Sequence, residues 1–167
     1  MLSTPLDKIS VQDIVKTCEL NRKTFYYHFR DKQALVSWIF DSEFANLTDL
    51  NHDDSIIDEL LGHLHVNKDF YVAALMSDVQ NNLCDHLFKV VYDGIMYKIV
   101  TVLGTRKMTL NDIKIIANYF SNALIGCISQ WARAGMKTSV NENNINFHTI
   151  TQQCLEFLIY KLIEENK

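Results

Sequence analysis

The stretch that decides the fold is Asn21-Arg22-Lys23-Thr24-Phe25-Tyr26-Tyr27-His28-Phe29-Arg30-Asp31-Lys32. It places cations, hydroxyl groups and adjacent aromatic rings within roughly three turns of helix, too short a length to bury all of them. Positive charge and hydrogen-bond donors are what a protein surface needs to bind nucleic-acid phosphates. The side chains that supply them are Arg22, Lys23, Thr24, Tyr26, Tyr27, His28, Arg30 and Lys32. The stretch therefore predicts a surface that binds a nucleic-acid backbone.

Two helix starts lie close together at the beginning of the chain. Ser10 and Asp13 have the spacing of a capping box, which predicts a helix from about Val11 to residues 17–19. Asn21 is a second N-cap residue only a few positions later. Two short helices joined by about three or four residues are typical of a helix-turn-helix.

The second helix has one apolar side. Phe25 and Phe29 stand at positions i and i+4, so we expect both to face the core. The polar and cationic side chains then project on its other sides. Asp31 is placed to cap a third, long helix that joins this head to the rest of the chain.

The composition indicates an all-α protein. The 167 residues include one proline and five glycines, and 48% are hydrophobic. An all-β fold needs more tight turns than so few of these residues provide. Apolar residues recur at helical spacing from residue 56 onward. We therefore predict an N-terminal helix-turn-helix head with its linking helix, residues 1–49, and a helical body, residues 50–167.

The charge differs between these two parts. The chain carries −4 overall, but residues 1–37 contain six Lys and Arg against four Asp and Glu, and the remainder carries −6. A basic head on an acidic body allows one face to meet phosphate while the body stays away from it. The sequence shows neither a membrane span nor a signal peptide, so we expect a cytoplasmic protein that does not bind membranes.

Catalytic and metal chemistry have little support in the sequence. No nucleophile with a base and an orienting group can be assembled from it. His63 and His65 are two residues apart and would point in nearly opposite directions on a helix. The cysteines are widely spaced without a CxxC pair, and we expect them to be reduced packing residues. We therefore expect no enzyme, no metal and no cofactor.

The last two predicted helices carry wide apolar stripes. Together they have more apolar surface to bury than one domain of this size usually covers, which predicts a homodimeric four-helix interface. The residues assigned to that interface are Phe120, Leu124, Ile128, Trp131, Leu155, Leu158 and Leu162.

These motifs resemble a known family. Ser10-Val11-Gln12-Asp13-Ile14-Val15, then Thr24-Phe25-Tyr26-Tyr27-His28-Phe29-Arg30-Asp31-Lys32 and Leu35, resemble the signature of TetR-family (tetracycline-repressor-like) one-component transcription regulators. Phe120-Ser121-Asn122-Ala123-Leu124-Ile125-Gly126, with Trp131 and Gly135-Met136, is similar to the dimerisation helix of that family. Leu35-Val36-Ser37-Trp38-Ile39-Phe40 and Phe44-Ala45 resemble the subgroup that contains the dihydroxyacetone kinase operon activator.

The resemblance implies that residues 21–28 are a recognition helix that enters the major groove of DNA. It implies backbone contacts from Thr24, Tyr26 and His28, a backbone or base contact from Tyr27, and a phosphate clamp at Lys32. These assignments agree with the chemistry of the side chains, because hydroxyl groups and cations donate hydrogen bonds to phosphate oxygens.

Two further sets of residues have predicted roles. Arg22 and Lys23 precede the motif and are the predicted base readers, because long cationic side chains reach O6 and N7 of guanine. The resemblance also implies that residues 50–167 are a regulatory and dimerisation domain, with a cavity for an effector lined by Phe70, Met76, Phe88, Tyr92 and Met96. Ordinary core packing is the alternative for each of these five residues.

Two features depart from the family pattern. A helix precedes Ile9 in the family, whereas here only residues 1–5 stand before Leu6, so we expect the first helix to be missing or truncated. Either the true start of the protein lies upstream, or the head is incomplete. Glu19 occupies the turn position where the family commonly has glycine. A glutamate at positive φ costs on the order of 1 kcal/mol, which puts the usual turn geometry in question.

Two functions follow from the sequence. The first is a homodimeric regulator that binds a double-stranded DNA operator and responds to an unknown small molecule or partner protein. The alternative, motivated by the absent first helix, is a dimeric ligand-binding or protein-interaction module that has lost DNA binding. A helical enzyme is a weaker third possibility.

Overall fold

The computed structural model describes residues 5–48, 56–80, 82–138 and 147–165. These residues form a short 3-10 turn and eight α-helices, with no strand among them. The turn is Leu6–Lys8, and the helices are α1 (Val11–Thr17), α2 (Arg22–His28), α3 (Lys32–Thr48), α4 (Ile56–Val66), α5 (Lys68–Leu75), α6 (Leu83–Leu103), α7 (Leu110–Arg133) and α8 (Phe147–Glu165). The predicted all-α fold is confirmed. The predicted boundary between residues 49 and 50 lies outside the described residues.

The helices of the head begin where their capping residues predict. The Ser10 hydroxyl accepts a hydrogen bond from the Asp13 amide, and the Asp13 carboxylate accepts one from the Ser10 amide at 2.8 Å. Asn21 caps α2 by accepting from the amide of Thr24 at 2.8 Å. Asp31 accepts from the amide of Ala34 at 2.8 Å in the first turn of α3. Each side chain satisfies an amide that has no partner within its helix.

The turn between α1 and α2 keeps the geometry that glycine favours. Glu19 has a φ of 55°. The amide of Leu20 donates to the carbonyl of Val15 at 2.8 Å, and the amide of Glu19 donates to the carbonyl of Lys16 at 3.3 Å. This pair of hydrogen bonds is a Schellman motif, which ends a helix through a residue in the left-handed conformation. The glutamate therefore adopts the strained conformation instead of changing the turn.

The main core lies between the helices of the body. Helix α6 is central and packs along α7, with α3, α5 and α8 also against it. Its inward residues recur every four positions, and Leu83, Leu87 and Ile99 are fully buried. Phe40 of α3 and Leu6 of the 3-10 turn belong to the same core, so the head is packed onto the body. No helix in the described ranges has the length and hydrophobicity to cross a membrane.

The 3-10 turn precedes α1 and contacts two other parts of the chain. Leu6 is buried in the main core, and Asp7 accepts a hydrogen bond from the Ser77 hydroxyl at 2.9 Å. The Lys32 ammonium donates to the carbonyl oxygens of Leu6 and Ile9 at 2.7 and 2.9 Å. The turn is therefore held both by the body and by the first residue of α3.

Replacing Glu19 with glycine is expected to raise the free energy of unfolding by about 1 kcal/mol, because glycine accepts positive φ without a Cβ clash. Urea denaturation of the two proteins measures the difference. Gly135→Ala is the matched control, since Gly135 has a φ of 73° at the end of α7. That substitution should lower stability. A Glu19→Gly protein no more stable than the original would contradict the strain assigned to this turn.

Candidate nucleic-acid interface

Helix α2 buries one side chain and exposes its cations. Phe25 is 6% exposed, whereas Arg22, Lys23 and His28 all lie on the surface. Tyr27 is 84% exposed. The helix therefore presents one continuous surface of cations and aromatic hydroxyl groups to solvent.

Aromatic contacts fix the orientation of α2. The ring of Phe29 lies between those of Phe25 and Trp38, with centroid distances of 5.6 and 5.7 Å. Tyr26 meets Phe25 edge to face at 5.4 Å. Phe25 is buried as predicted, and Phe29 is half-buried beneath Trp38 of α3. Because edge-to-face pairs have a preferred geometry, these rings limit the rotation of α2 about its axis.

The two predicted base readers differ in their surroundings. The Arg22 guanidinium lies 5.7 Å from the centre of the Tyr26 ring, a cation–π contact, with a long hydrogen bond of 3.4 Å to the Tyr26 hydroxyl. Lys23 is exposed and has no ion-pair partner among the described residues. Arg22 is therefore partly ordered, while Lys23 is free to reach a ligand.

Two side chains that are predicted to contact the DNA backbone, those of Thr24 and Lys32, already make hydrogen bonds within the chain. The Thr24 hydroxyl donates to the Asn21 side chain at 3.2 Å, so it contributes to the helix cap. The Lys32 ammonium makes the two carbonyl hydrogen bonds described above and keeps one donor for another partner. The sequence assigned Lys32 to phosphate alone, whereas the structure gives it a second role in holding the 3-10 turn.

Arg30 and Asp31 form an ion pair just after α2. Nε of Arg30 lies 3.0 Å from a carboxylate oxygen of Asp31. The hydrogen bond from the Ala34 amide is the main cause that lowers the pKa of Asp31; burial opposes it and Arg30 adds to it. Asp31 is therefore ionised at neutral pH and offsets part of the positive charge of Arg30.

A polar cluster joins the linking helix α3 to the body. The hydroxyl of Tyr71 in α5 donates to the carboxylate of Glu43 in α3 at 2.7 Å and lies 2.7 Å from Nε2 of His63 in α4. Nε2 is also 3.3 Å from the same carboxylate oxygen. Since the tyrosine proton points to the carboxylate, Nε2 of a neutral His63 is the donor to the tyrosine oxygen. Three helices therefore meet through one hydrogen-bonded cluster, Glu43-His63-Tyr71.

Burial changes the acid–base behaviour of this cluster. Loss of solvent lowers the pKa of His63 from 6.5, although the Glu43 charge acts in the opposite direction. Burial, followed by the hydrogen bond and charge of Glu43, raises the pKa of Tyr71 above 10.0. Both side chains are therefore neutral in the folded protein at neutral pH, with Glu43 as the hydrogen-bond acceptor.

Acidification from about pH 7.5 to about pH 5.5 is expected to lower the stability of the protein through His63. The unfolded chain takes up a proton below pH 6.5, whereas the folded pKa is lower, so stability falls as pH falls through this range. Urea denaturation at both pH values measures the loss. His63→Gln should reduce the pH-dependent part of the stability. Equal pH dependence in the original and His63→Gln proteins would contradict the assignment.

The five residues predicted to line an effector cavity are all half-buried. Phe70, Met76, Phe88, Tyr92 and Met96 pack against the main core, and the rings of Phe88 and Tyr92 stack at 6.1 Å. Their half-buried positions are compatible with ordinary core packing, the alternative to lining a cavity. Their role in binding an effector stays a prediction.

The residues predicted for the dimer interface lie mostly inside one chain. Phe120, Leu124, Ile128 and Leu155 are buried in the main core, where α6 and neighbouring helices cover them. Leu158 and Leu162 are half-buried against that core. Trp131 is also half-buried, and its Nε1 donates to the carbonyl of Thr138 at 3.0 Å. Side chains covered by their own chain have little surface left for a partner.

Large apolar side chains on other sides of α7 and α8 are exposed. We define the outer face by its large apolar residues Ile115, Tyr119, Phe157 and Tyr160. Ile115 and Tyr119 are four residues apart on α7, as are positions 122 and 126, which carry Asn122 and Gly126 on the exposed side. Helical periodicity in the sequence could have distinguished the outer face from the buried face. The α7 residues of the outer face stand at helical positions different from those of Phe120 and Leu124.

Metal and sulfur chemistry add no further site. Within the ranges that the structure describes, no group of three His, Cys, Asp or Glu side chains is arranged to hold a metal ion. All four cysteines are free thiols. The surface of α2 is therefore the part of the molecule whose geometry points most directly to a ligand.

The chain belongs to the TetR family of bacterial regulatory proteins. The family model described as "Bacterial regulatory proteins, tetR family" matches residues 3–38, which contain α1 and α2. The model described as "Transcriptional regulator C-terminal region" matches residues 51–153, more than half of the chain. The predicted class, a transcription regulator and not an enzyme, is thereby confirmed.

Two similar proteins carry related names. The chain is 32% identical over 104 residues to the HTH-type dhaKLM operon transcriptional activator DhaS of Lactococcus lactis subsp. lactis (strain IL1403). That alignment covers 60% of this chain and 54% of the relative, so it spans about half of the relative's length. A solved structure titled "Dihydroxyacetone kinase operon activator DhaS" superposes with a TM-score of 0.58 at 22% identity, covering 97% of this chain and 88% of that one. The similarity to this solved structure shows the fold alone.

Proposed function

We propose that this chain acts as a homodimer that binds a double-stranded DNA operator and regulates transcription under the control of an effector. The observation that carries the proposal is the surface of α2, where burial of Phe25 leaves Arg22, Lys23 and Tyr27 exposed together. Family membership supports the use of this helix in the major groove.

The proposed contacts to DNA fall into groups according to the chemistry of the side chains. Lys23 and Arg22 have the reach and charge to donate to guanine edges, with Arg22 steered by the Tyr26 ring. Tyr26, Tyr27 and His28 are donors that suit phosphate oxygens. Thr24 and Lys32 act mainly by fixing the helix and the 3-10 turn, with the third Lys32 proton left for a phosphate.

The outer face of α7 and α8 is the proposed dimer surface. Tyr119 is 70% exposed and Phe157 is 66% exposed, and an exposed apolar patch marks an interaction site if such residues lie together. Asn122 and Gly126 on α7 are small enough to let a second helix approach closely. A two-fold axis through this face would pair the two heads for adjacent major grooves of a pseudo-palindromic site.

The proposed effector, a small molecule or a partner protein, acts through α3. The Glu43-His63-Tyr71 cluster fixes the far part of this helix to α4 and α5. Any ligand that moves α4 or α5 therefore changes the tilt of α3 and the spacing of the heads. By similarity to the two activators, the operator search should begin upstream of dihydroxyacetone kinase genes in the same genome.

The proposal is tested by selecting genomic fragments that bind the purified protein and measuring affinity for the recovered operator at several salt concentrations. Affinity should fall steeply as salt rises, because cations that bind phosphates release counterions from DNA. Failure to select any fragment would favour the alternative, an interaction module without DNA binding.

Lys23→Ala is expected to weaken operator binding and to reduce the magnitude of the salt slope by about one if the ammonium meets a phosphate. If it reads a base, the loss should instead concentrate on one operator position, by about 1–3 kcal/mol. Fluorescence anisotropy with operator variants separates the two cases. Lys137→Ala, at an exposed lysine beyond α7, is the control. Unchanged binding by Lys23→Ala would remove this residue from the interface.

Tyr119→Glu is expected to shift the protein from dimer to monomer, because a charge buried without a partner in an apolar interface is costly. Sedimentation velocity at micromolar concentration measures the change. Tyr97→Glu is the matched control, since Tyr97 is a 76% exposed tyrosine on α6, outside the outer face. A Tyr119→Glu protein that stays dimeric would place the interface elsewhere.

A further inference from the structure

A second cationic site lies between the head and the body. An open cleft of about 200 Å³ is lined by Arg30, Ala34, Ser37, His86 and Lys89. Arg30 belongs to the segment that follows α2, Ala34 and Ser37 lie on α3, and His86 and Lys89 lie near the start of α6. We call it the junction cleft, because its walls come from the head, the linking helix and the body.

Hydrogen-bond donors in the junction cleft are free to bind a ligand. Arg30 uses only Nε in its pair with Asp31, which leaves both terminal nitrogens of the guanidinium. Lys89 is exposed, and neither its ammonium nor the Ser37 hydroxyl has a partner among the described residues. The cleft therefore combines two cations and a neutral donor.

Two carboxylates close to the residues of the cleft, those of Asp31 and Asp41, are already engaged. Asp41 accepts from Nε2 of His86 at 2.7 Å, and Asp31 accepts from Arg30 and from the amide of Ala34. No acidic side chain lines the cleft itself. The charge left for a ligand is positive, which favours an anion.

We propose that the junction cleft binds an oxyanion, either a phosphate group or one of similar size, through Arg30, Ser37 and Lys89. Guanidinium and ammonium groups form charge-assisted hydrogen bonds with phosphate oxygens. The volume lies below the roughly 300 Å³ at which pockets for larger ligands begin, so it suits an inorganic anion or the phosphate of a small molecule.

A bound oxyanion would connect the head to the body. It would be held by Arg30 on one side and by Lys89 on the other, across the first two turns of α3. Such a bridge restricts the movement of α2 relative to the body, and any ligand that binds one arrangement better shifts the population toward it. The phosphate could belong to a free molecule or to the backbone of bound DNA.

The direct test uses the full chain without DNA. Inorganic phosphate is titrated at constant ionic strength, and amide chemical shifts are followed by NMR, with chloride as the reference anion. Saturable shifts are expected at residues 30, 37 and 89. Lys89→Gln should weaken binding by about tenfold, as expected for loss of a charged hydrogen bond. Lys114→Gln, an exposed lysine on α7, is the matched control.

A second arm measures operator binding by the same variants and identifies the source of the oxyanion. Phosphate binding without DNA that Lys89→Gln weakens supports a free ligand, even if the protein binds no operator. If free phosphate does not bind but Lys89→Gln lowers the salt slope of operator binding by about one, the oxyanion is a backbone phosphate. If Lys89→Gln and Lys114→Gln behave alike in both arms, or if the phosphate shifts lie elsewhere, the proposal is overturned.

Discussion

Burial of Phe25 is the interaction on which the proposed DNA-binding surface depends. Helix α2 has only seven residues, which is too short to be stable alone in water. Its stability comes from the Asn21 cap and from packing of one aromatic side chain, supported by Phe29 and Trp38. Because only one side of the helix is buried, the residues on its other sides are necessarily exposed. The same contact that folds α2 therefore directs Arg22 and Lys23 outward.

The head is useful to a regulator only if it moves with the body, and short polar contacts provide that connection. Lys32 joins α3 to the 3-10 turn, Asp7 of that turn bonds Ser77, and the Glu43-His63-Tyr71 cluster holds α3 against α4 and α5. These hydrogen bonds are partly buried and directional, so we expect small shifts in the body to be passed to α3.

The parts of the structure that sequence could predict are local. The caps at Ser10, Asn21 and Asp31 depend on residues three apart, and the burial of Phe25 depends on helical periodicity. What could not be predicted depends on distant partners. Periodicity showed that Phe120 and Leu124 are apolar, but not that α6 of the same chain covers them. Lys32 meets carbonyls 23 and 26 residues away, a pairing with no sequence signal.

The central claim, that the exposed face of α2 meets DNA, is tested most directly by photo-crosslinking. Tyr27, 84% exposed, is replaced with p-benzoylphenylalanine and the protein is irradiated on its selected operator, with the same replacement at the exposed Tyr97 of α6 as the reference. A covalent protein–DNA adduct is predicted from position 27 and not from position 97. Binding of the operator with no adduct from position 27, or with equal adducts from both positions, would contradict the account.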